Sequence, residues 1–171
     1  MRAADPVSSA ARAIEDARPR RAFRILLAAA RAGRPEVFLN LGFAYDVGQG
    51  VRRCKRKALH WYHRAFANGE ASAAYNMATV YRDRGDVLRA VRWSRHAVEL
   101  GESGSNVLLG QLLLGRLGDP EGALEAFHRV GADACQADVE NAAVWAATVE
   151  GMLAGPERRL RRQSSGEGKG P

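Results

Sequence analysis

The chain repeats itself. Leu41-Gly42 and Tyr45 recur 36 residues later as Met77-Ala78 and Tyr81, and again 32 residues further on as Leu109-Gly110 and Leu113. A second motif follows the first in each unit: Ala58, Trp61, Ala65 and Gly69 return at an offset of 32 as Ala90, Trp93, Ala97 and Gly101. Upstream, Ala22, Ile25, Ala29 and Gly33 match the same four positions at an offset of 36, and the third unit keeps Ala123 with Ala126 in place of Trp. A period between 20 and 50 residues is the signature of stacked supersecondary units.

Each unit carries small and apolar residues at helical spacing interrupted by glycine, which reads as two antiparallel helices and a turn. Gly33, Gly69 and Gly101 fall where a helix would end in a left-handed cap. Asp86 and Asp119 fall where a carboxylate would cap the next helix, and Asp5-Pro6 and Asp119-Pro120 place proline at a first helical position. The predicted helices run over 6–17, 20–32, 36–47, 55–68, 71–83, 87–100, 104–116 and 120–131. Composition agrees with an all-α chain: 31 alanines stand against only 17 Val, Ile and Thr together.

A lone helical pair cannot bury its apolar face, whereas stacked pairs share one continuous core. Gly42, Ala78 and Gly110 are then expected to allow close helix approach, and Trp61 and Trp93 to fill the space inside a pair and beside its neighbour. On that expectation Trp93→Ala costs roughly 3–5 kcal/mol. The organisation expected is an N-terminal capping helix (1–19), a half repeat (20–34), and three repeats (35–70, 71–102, 103–134). A C-terminal capping helix (135–154) and a disordered basic tail (155–171) complete it. In the capping helix Val139, Ala142, Ala143, Ala146 and Val149 form one stripe.

The stretch 40–69 resembles a Sel-one-like repeat, a tetratricopeptide-type unit. The matching residues are Leu41-Gly42, Tyr45, Gly48, Gly50-Val51, Lys57-Ala58, Trp61-Tyr62, Ala65 and Gly69. The later units lack the Gly-x-Gly-Val loop and are closer to plain tetratricopeptide repeats. The resemblance implies an α-solenoid that serves as a protein-interaction adaptor or scaffold and is not an enzyme. It also implies that non-core positions of each first helix line a peptide-binding groove. These are Leu39, Asn40, Phe43 and Asp46, then Tyr75, Asn76, Thr79 and Arg82, then Val107 and Gln111. Phe43 and Tyr75 offer amphipathic contact, Asn76 and Gln111 can pair with peptide backbone, and Arg82 can grip a carboxylate. Asn40 and Asn76 could equally serve neighbouring backbone groups.

Charge is uneven: 1–69 carry a net +9, 70–154 a net −5, and 155–171 a net +3. The densest basic patch is Arg52, Arg53, Lys55, Arg56 and Lys57, and it supports an alternative reading as a nucleic-acid-associated protein using the basic N-terminal half. The chain as a whole is a charge dipole rather than a uniformly basic binder, and no aromatic residues interleave the patch for base stacking. Cys54, inside the patch at the helix-capping position of the repeat, is a candidate reactive thiol. Two cysteines make no disulfide framework. His60 and His63 have ligand spacing but no third ligand, so no metal and no cofactor is expected. Gly48-Gln49-Gly50 follows no strand and is not a dinucleotide fingerprint. No catalytic constellation is evident. Arg20-Arg21 before Ile25–Ala30 imitates a twin-arginine signal, but that apolar run is too short, and a cytoplasmic protein with no membrane segment is expected.

Overall fold

A computed structural model describes residues 5–15, 17–102, 104–131 and 134–155, and within them the chain is helical with no strand. Of the tail predicted over 155–171, residues 156–171 lie outside the described residues. Two units divide at Glu102/Ser103, and each is described by itself.

The first unit contains α1 (Pro6–Glu15), α2 (Pro19–Arg31), α3 (Phe38–Val47), α4 (Lys55–Ala67), α5 (Ser72–Asp83) and α6 (Val87–Glu99). A single 3-10 turn, Pro35–Val37, leads into α3. They pack as successive hairpins, α1 on α2, α3 on α4 and α5 on α6, with α4 laid against α5. Helix ends are local events and fall where the sequence places them. Gly33, Gly69 and Gly101 all have positive φ (79°, 88° and 84°). The residue after each donates back five positions, as in Arg34 N–H to the Ala29 carbonyl at 3.1 Å, which satisfies otherwise orphaned carbonyls. Asp86 caps α6 by accepting from Arg89 N–H at 3.2 Å.

The close approach expected at Gly42 is present, but its partner differs from the one expected. A methyl carbon at Gly42 would overlap Cδ1 and Cε1 of Tyr62, whose Cγ would stand 3.1 Å away. Tyr62 is fully buried, as is Ser94 one repeat later, whereas Trp61 and Trp93 are only half-buried. The tryptophans pack on outer seams, Trp61 against Phe38 (5.5 Å between centroids) and Trp93 against Phe66 (5.2 Å). At Gly42 the residue after tryptophan, not tryptophan itself, points into the gap left by the small residue. Trp93→Ala therefore opens a surface notch rather than a sealed cavity and costs less than a full core deletion.

The second unit contains α7 (Gly104–Leu112), a widened π turn (Leu113–Leu117), α8 (Pro120–His128) and α9 (Gln136–Leu153). Gly110 repeats the device of Gly42: a methyl there would lie 2.5 Å from Phe127 Cε1. Asp119 caps α8, accepting from Gly122 N–H at 2.8 Å. The helix expected to run evenly over 104–116 instead loosens into the π turn, which keeps Leu113 buried and ends on Gly118 at φ +66°. In α9, Ala142, Ala146 and Val149 are buried against the hairpin and Val139 is half-buried, while Ala143 is exposed, so the stripe is narrower than expected.

Candidate functional site

The repeat sets the site's geometry. Successive turns of α3 bring Phe43, Asp46 and Val47 to one side, and α5 presents Tyr75, Asn76, Thr79 and Arg82 opposite them. These residues line an open pocket of about 470 Å³, closed at one end by Arg53, Lys55 and Asp83. Phe43 and Val47 keep roughly half of their surface in solvent (47% and 52%), an apolar wall beside a polar floor.

The floor is an ion network built on Asp46, which is 9% exposed. Its Oδ2 accepts from the Tyr62 hydroxyl at 3.4 Å. Its Oδ1 receives no aligned hydrogen bond and is balanced by the Lys55 ammonium, 2.5 Å away. Lys55 Nζ also donates to Asp83 Oδ2 at 3.1 Å, so one ammonium is shared by two carboxylates. Arg82 Nη2 donates to the other oxygen of Asp83 at 3.1 Å, and Arg53 Nε to the Asp46 carbonyl at 2.9 Å. Partial burial opposes ionisation of Asp83, but hydrogen bonds from Lys55 and Arg82, with their charges, outweigh it and hold its carboxyl below the ordinary range. Burial first, then the Asp46 carboxylate, pushes the Tyr62 phenol strongly up, so it stays a proton donor.

Above this floor, polar capacity is unspent. Thr79 donates to the Asn76 main-chain carbonyl at 2.8 Å, which leaves its lone pairs free. Among the described residues, the Asn76 amide and the Tyr75 hydroxyl have no hydrogen-bond partner, although both line the pocket.

Six of the ten groove candidates thus meet in one place: Phe43, Asp46, Tyr75, Asn76, Thr79 and Arg82, while Leu39 is half-buried outside that lining. Asn40 is exposed on α3 outside the pocket lining, and Gln111 is exposed in the second unit, where Val107 is buried. Asp46 is a floor residue rather than a free contact. The basic patch does not act as one surface: Lys55 and Arg53 turn into the pocket, and Lys57 lies 5.2 Å from the Tyr45 ring centroid. Only Arg52 and Arg56 of the five remain exposed without a described partner. Cys54 occupies the cap position of α4 with extended backbone (φ −153°, ψ 94°), half-buried, and its thiol makes no cap hydrogen bond. His60 and His63 are exposed on α4, and no cluster of potential metal ligands occurs among the described residues. The reading from sequence missed Val47 and Asp83 as pocket residues, and it grouped Arg53 and Lys55 with the basic patch rather than with the groove. No local signal marks them, because the contact from Lys55 to Asp83 spans 28 residues.

No family model matches the chain, and no curated protein matches it. Solved structures that share its fold include two repeat proteins. A Sel1 repeat protein from Oxalobacter formigenes superposes with a TM-score of 0.53 at 24% identity, covering 64% of this chain and 48% of that one. The protein c5321, a protective antigen present in uropathogenic Escherichia coli strains displaying an SLR fold, superposes with a TM-score of 0.60 at 18% identity. That match covers 75% of this chain and 32% of the other. The chain thus spans less than half the length of either. At these identities the likeness establishes the fold, the all-α helical repeat of Sel1-type proteins. No described helix is long and apolar enough to cross a membrane.

Proposed function

We propose that the chain is a non-catalytic adaptor that binds an extended peptide segment of a partner protein in the pocket between α3 and α5. The observation that carries this reading is the side-by-side placement of exposed apolar surface and unspent hydrogen-bonding groups over a charge-balanced floor. Phe43 and Val47 accept an apolar side chain, Asn76 pairs with peptide backbone, and the exposed side of the Arg82 guanidinium takes an acidic group. The floor carries its own counter-charges, since Lys55 is neutralised by Asp46 and Asp83. Lys55 therefore rigidifies the pocket rather than acting as an anion trap, and specificity falls to the walls. The Sel1-type fold supports a protein-interaction role in general terms.

The test is selection from a displayed random peptide library against the full chain, followed by anisotropy titration of the selected sequences. Tyr75→Ala/Arg82→Ala, with helicity checked by circular dichroism, should weaken the selected peptides by at least about tenfold, as truncating central aromatic and arginine anchors does elsewhere. Recovery of no peptide, or peptides whose affinity ignores the double variant, would refute the groove.

A further inference from the structure

A cluster of arginines lies where the α1–α2 turn meets the Gly48–Arg53 loop. Arg18, Arg20, Arg21 and Arg24 surround a hollow of about 560 Å³. A second hollow, of about 490 Å³, shares Pro19 and Arg20 and adds the loop with Arg52. The two adjoin because the loop lies directly on the start of α2: a Cβ at Gly50 would overlap the Pro19 carbonyl and stand 2.9 Å from Arg20 N. Backbone contacts also fix the turn, where Ala17 takes a left-handed φ of 55° and Arg18 N–H donates to the Ala13 carbonyl at 2.8 Å. Five arginines from two stretches of chain are thereby gathered on one supported surface.

All five are exposed, and none is paired with a described carboxylate. Arg34, Lys55, Arg82, Arg89 and Arg129, by contrast, each meet one. Over 12–24 the sequence holds five arginines to the two carboxylates of Glu15 and Asp16, so the segment stays basic with both counted. The lining favours phosphate over an acidic protein. A protein interface centres on large apolar or aromatic anchors, and here the apolar surface comes from Ala17, Pro19, Val51 and the aliphatic stems of the arginines themselves. Guanidinium forks match phosphate oxygens without needing such anchors. Neither hollow is lined by an aromatic ring, so the stacking platform that single strands use is missing from them.

From this geometry we infer that the face formed by Arg18, Arg20, Arg21, Arg24 and Arg52 binds the phosphate backbone of a nucleic-acid duplex without reading its sequence. The surface is separate from the peptide pocket, so failure of one assignment leaves the other standing.

Anisotropy of the full chain with a short labelled DNA duplex tests it. If about four phosphates are engaged, affinity should fall on the order of 100-fold between roughly 50 and 200 mM salt. Arg20→Gln/Arg21→Gln/Arg24→Gln should weaken binding at least about tenfold and flatten the salt slope. The charge-matched control Arg84→Gln/Arg92→Gln/Arg95→Gln removes three exposed arginines elsewhere and should change affinity less than about threefold. Arg52→Gln probes the same face without touching α2, and should weaken binding severalfold even where the helix variant fails to keep its circular dichroism. Absence of duplex binding at the lowest salt, equal losses in both triple variants, or no effect of Arg52→Gln would overturn the assignment. Tighter binding of single strands, polyglutamate or anionic vesicles than of duplex at equal salt would overturn it as well.

Discussion

Gly42→Ala is the sharpest probe of how the core supports the pocket, because two physical effects oppose each other there. Replacing glycine inside a helix ordinarily stabilises it by about 0.5–1 kcal/mol through chain entropy. At Gly42, however, the new methyl would overlap the Tyr62 ring, which is fully buried. The ring has little room to retreat, since its hydroxyl is tied to Asp46 at 3.4 Å and Asp46 is held in turn by Lys55. Overpacking of this kind costs about 1–3 kcal/mol, so the net expectation is a loss centred near 1 kcal/mol and reaching at most about 2.5 kcal/mol. For a chain of this size a loss of about 1 kcal/mol lowers Tm by roughly 2–4 °C. Gly151→Ala is the matched control, an exposed glycine in α9 with nothing within 4 Å of the added carbon, and it should gain about 0.5–1 kcal/mol. Urea unfolding of both variants, with Tyr62→Leu and the Gly42→Ala/Tyr62→Leu double variant, completes a cycle in which the losses should be less than additive. Equal stabilisation by Gly42→Ala and Gly151→Ala would refute the contact and the coupling of core to pocket.

Two further predictions follow from local geometry. Cys54 sits at a helix-capping position without a side-chain cap, where Asp86 and Asp119 make theirs, so Cys54→Asp should stabilise by about 1 kcal/mol in chemical denaturation. An unchanged midpoint would show that α4 gains nothing from a cap. His63 is exposed overall, but its ring lies 5.2 Å from that of Trp93, and this partial desolvation, with the neighbouring His60 charge adding to it, lowers its pKa below the ordinary 6.5. The folded state therefore favours the neutral ring, so stability present above pH 6.5 should decline as pH falls through and below that value. His63→Gln should flatten this decline in Tm measured against pH, and an identical slope in the variant would contradict the assignment.

The repeat, the helices and their caps were legible in the sequence because they rest on local rules. A glycine past the last helical turn, as at Gly69, or an aspartate before the first, as at Asp86, acts within a few residues of itself. The resemblance to a Sel-one-like repeat pointed to Tyr75, Asn76, Thr79 and Arg82 as non-core positions of a first helix, and these four do line the pocket. What escaped that reading depends on neighbours distant in the chain. Trp61 and Tyr62 are adjacent, and only the direction of α4 relative to Gly42 decides which of them is buried. Lys55 reads as one more cation in a basic run until Asp46 and Asp83 are brought to either side of it. Arg20 and Arg52 share a surface because Gly50 lets the loop rest on the first turn of α2. Periodicity specifies which face of a helix turns inward, but the groups a side chain meets are set by close packing between helices, and that is a property of the folded chain alone.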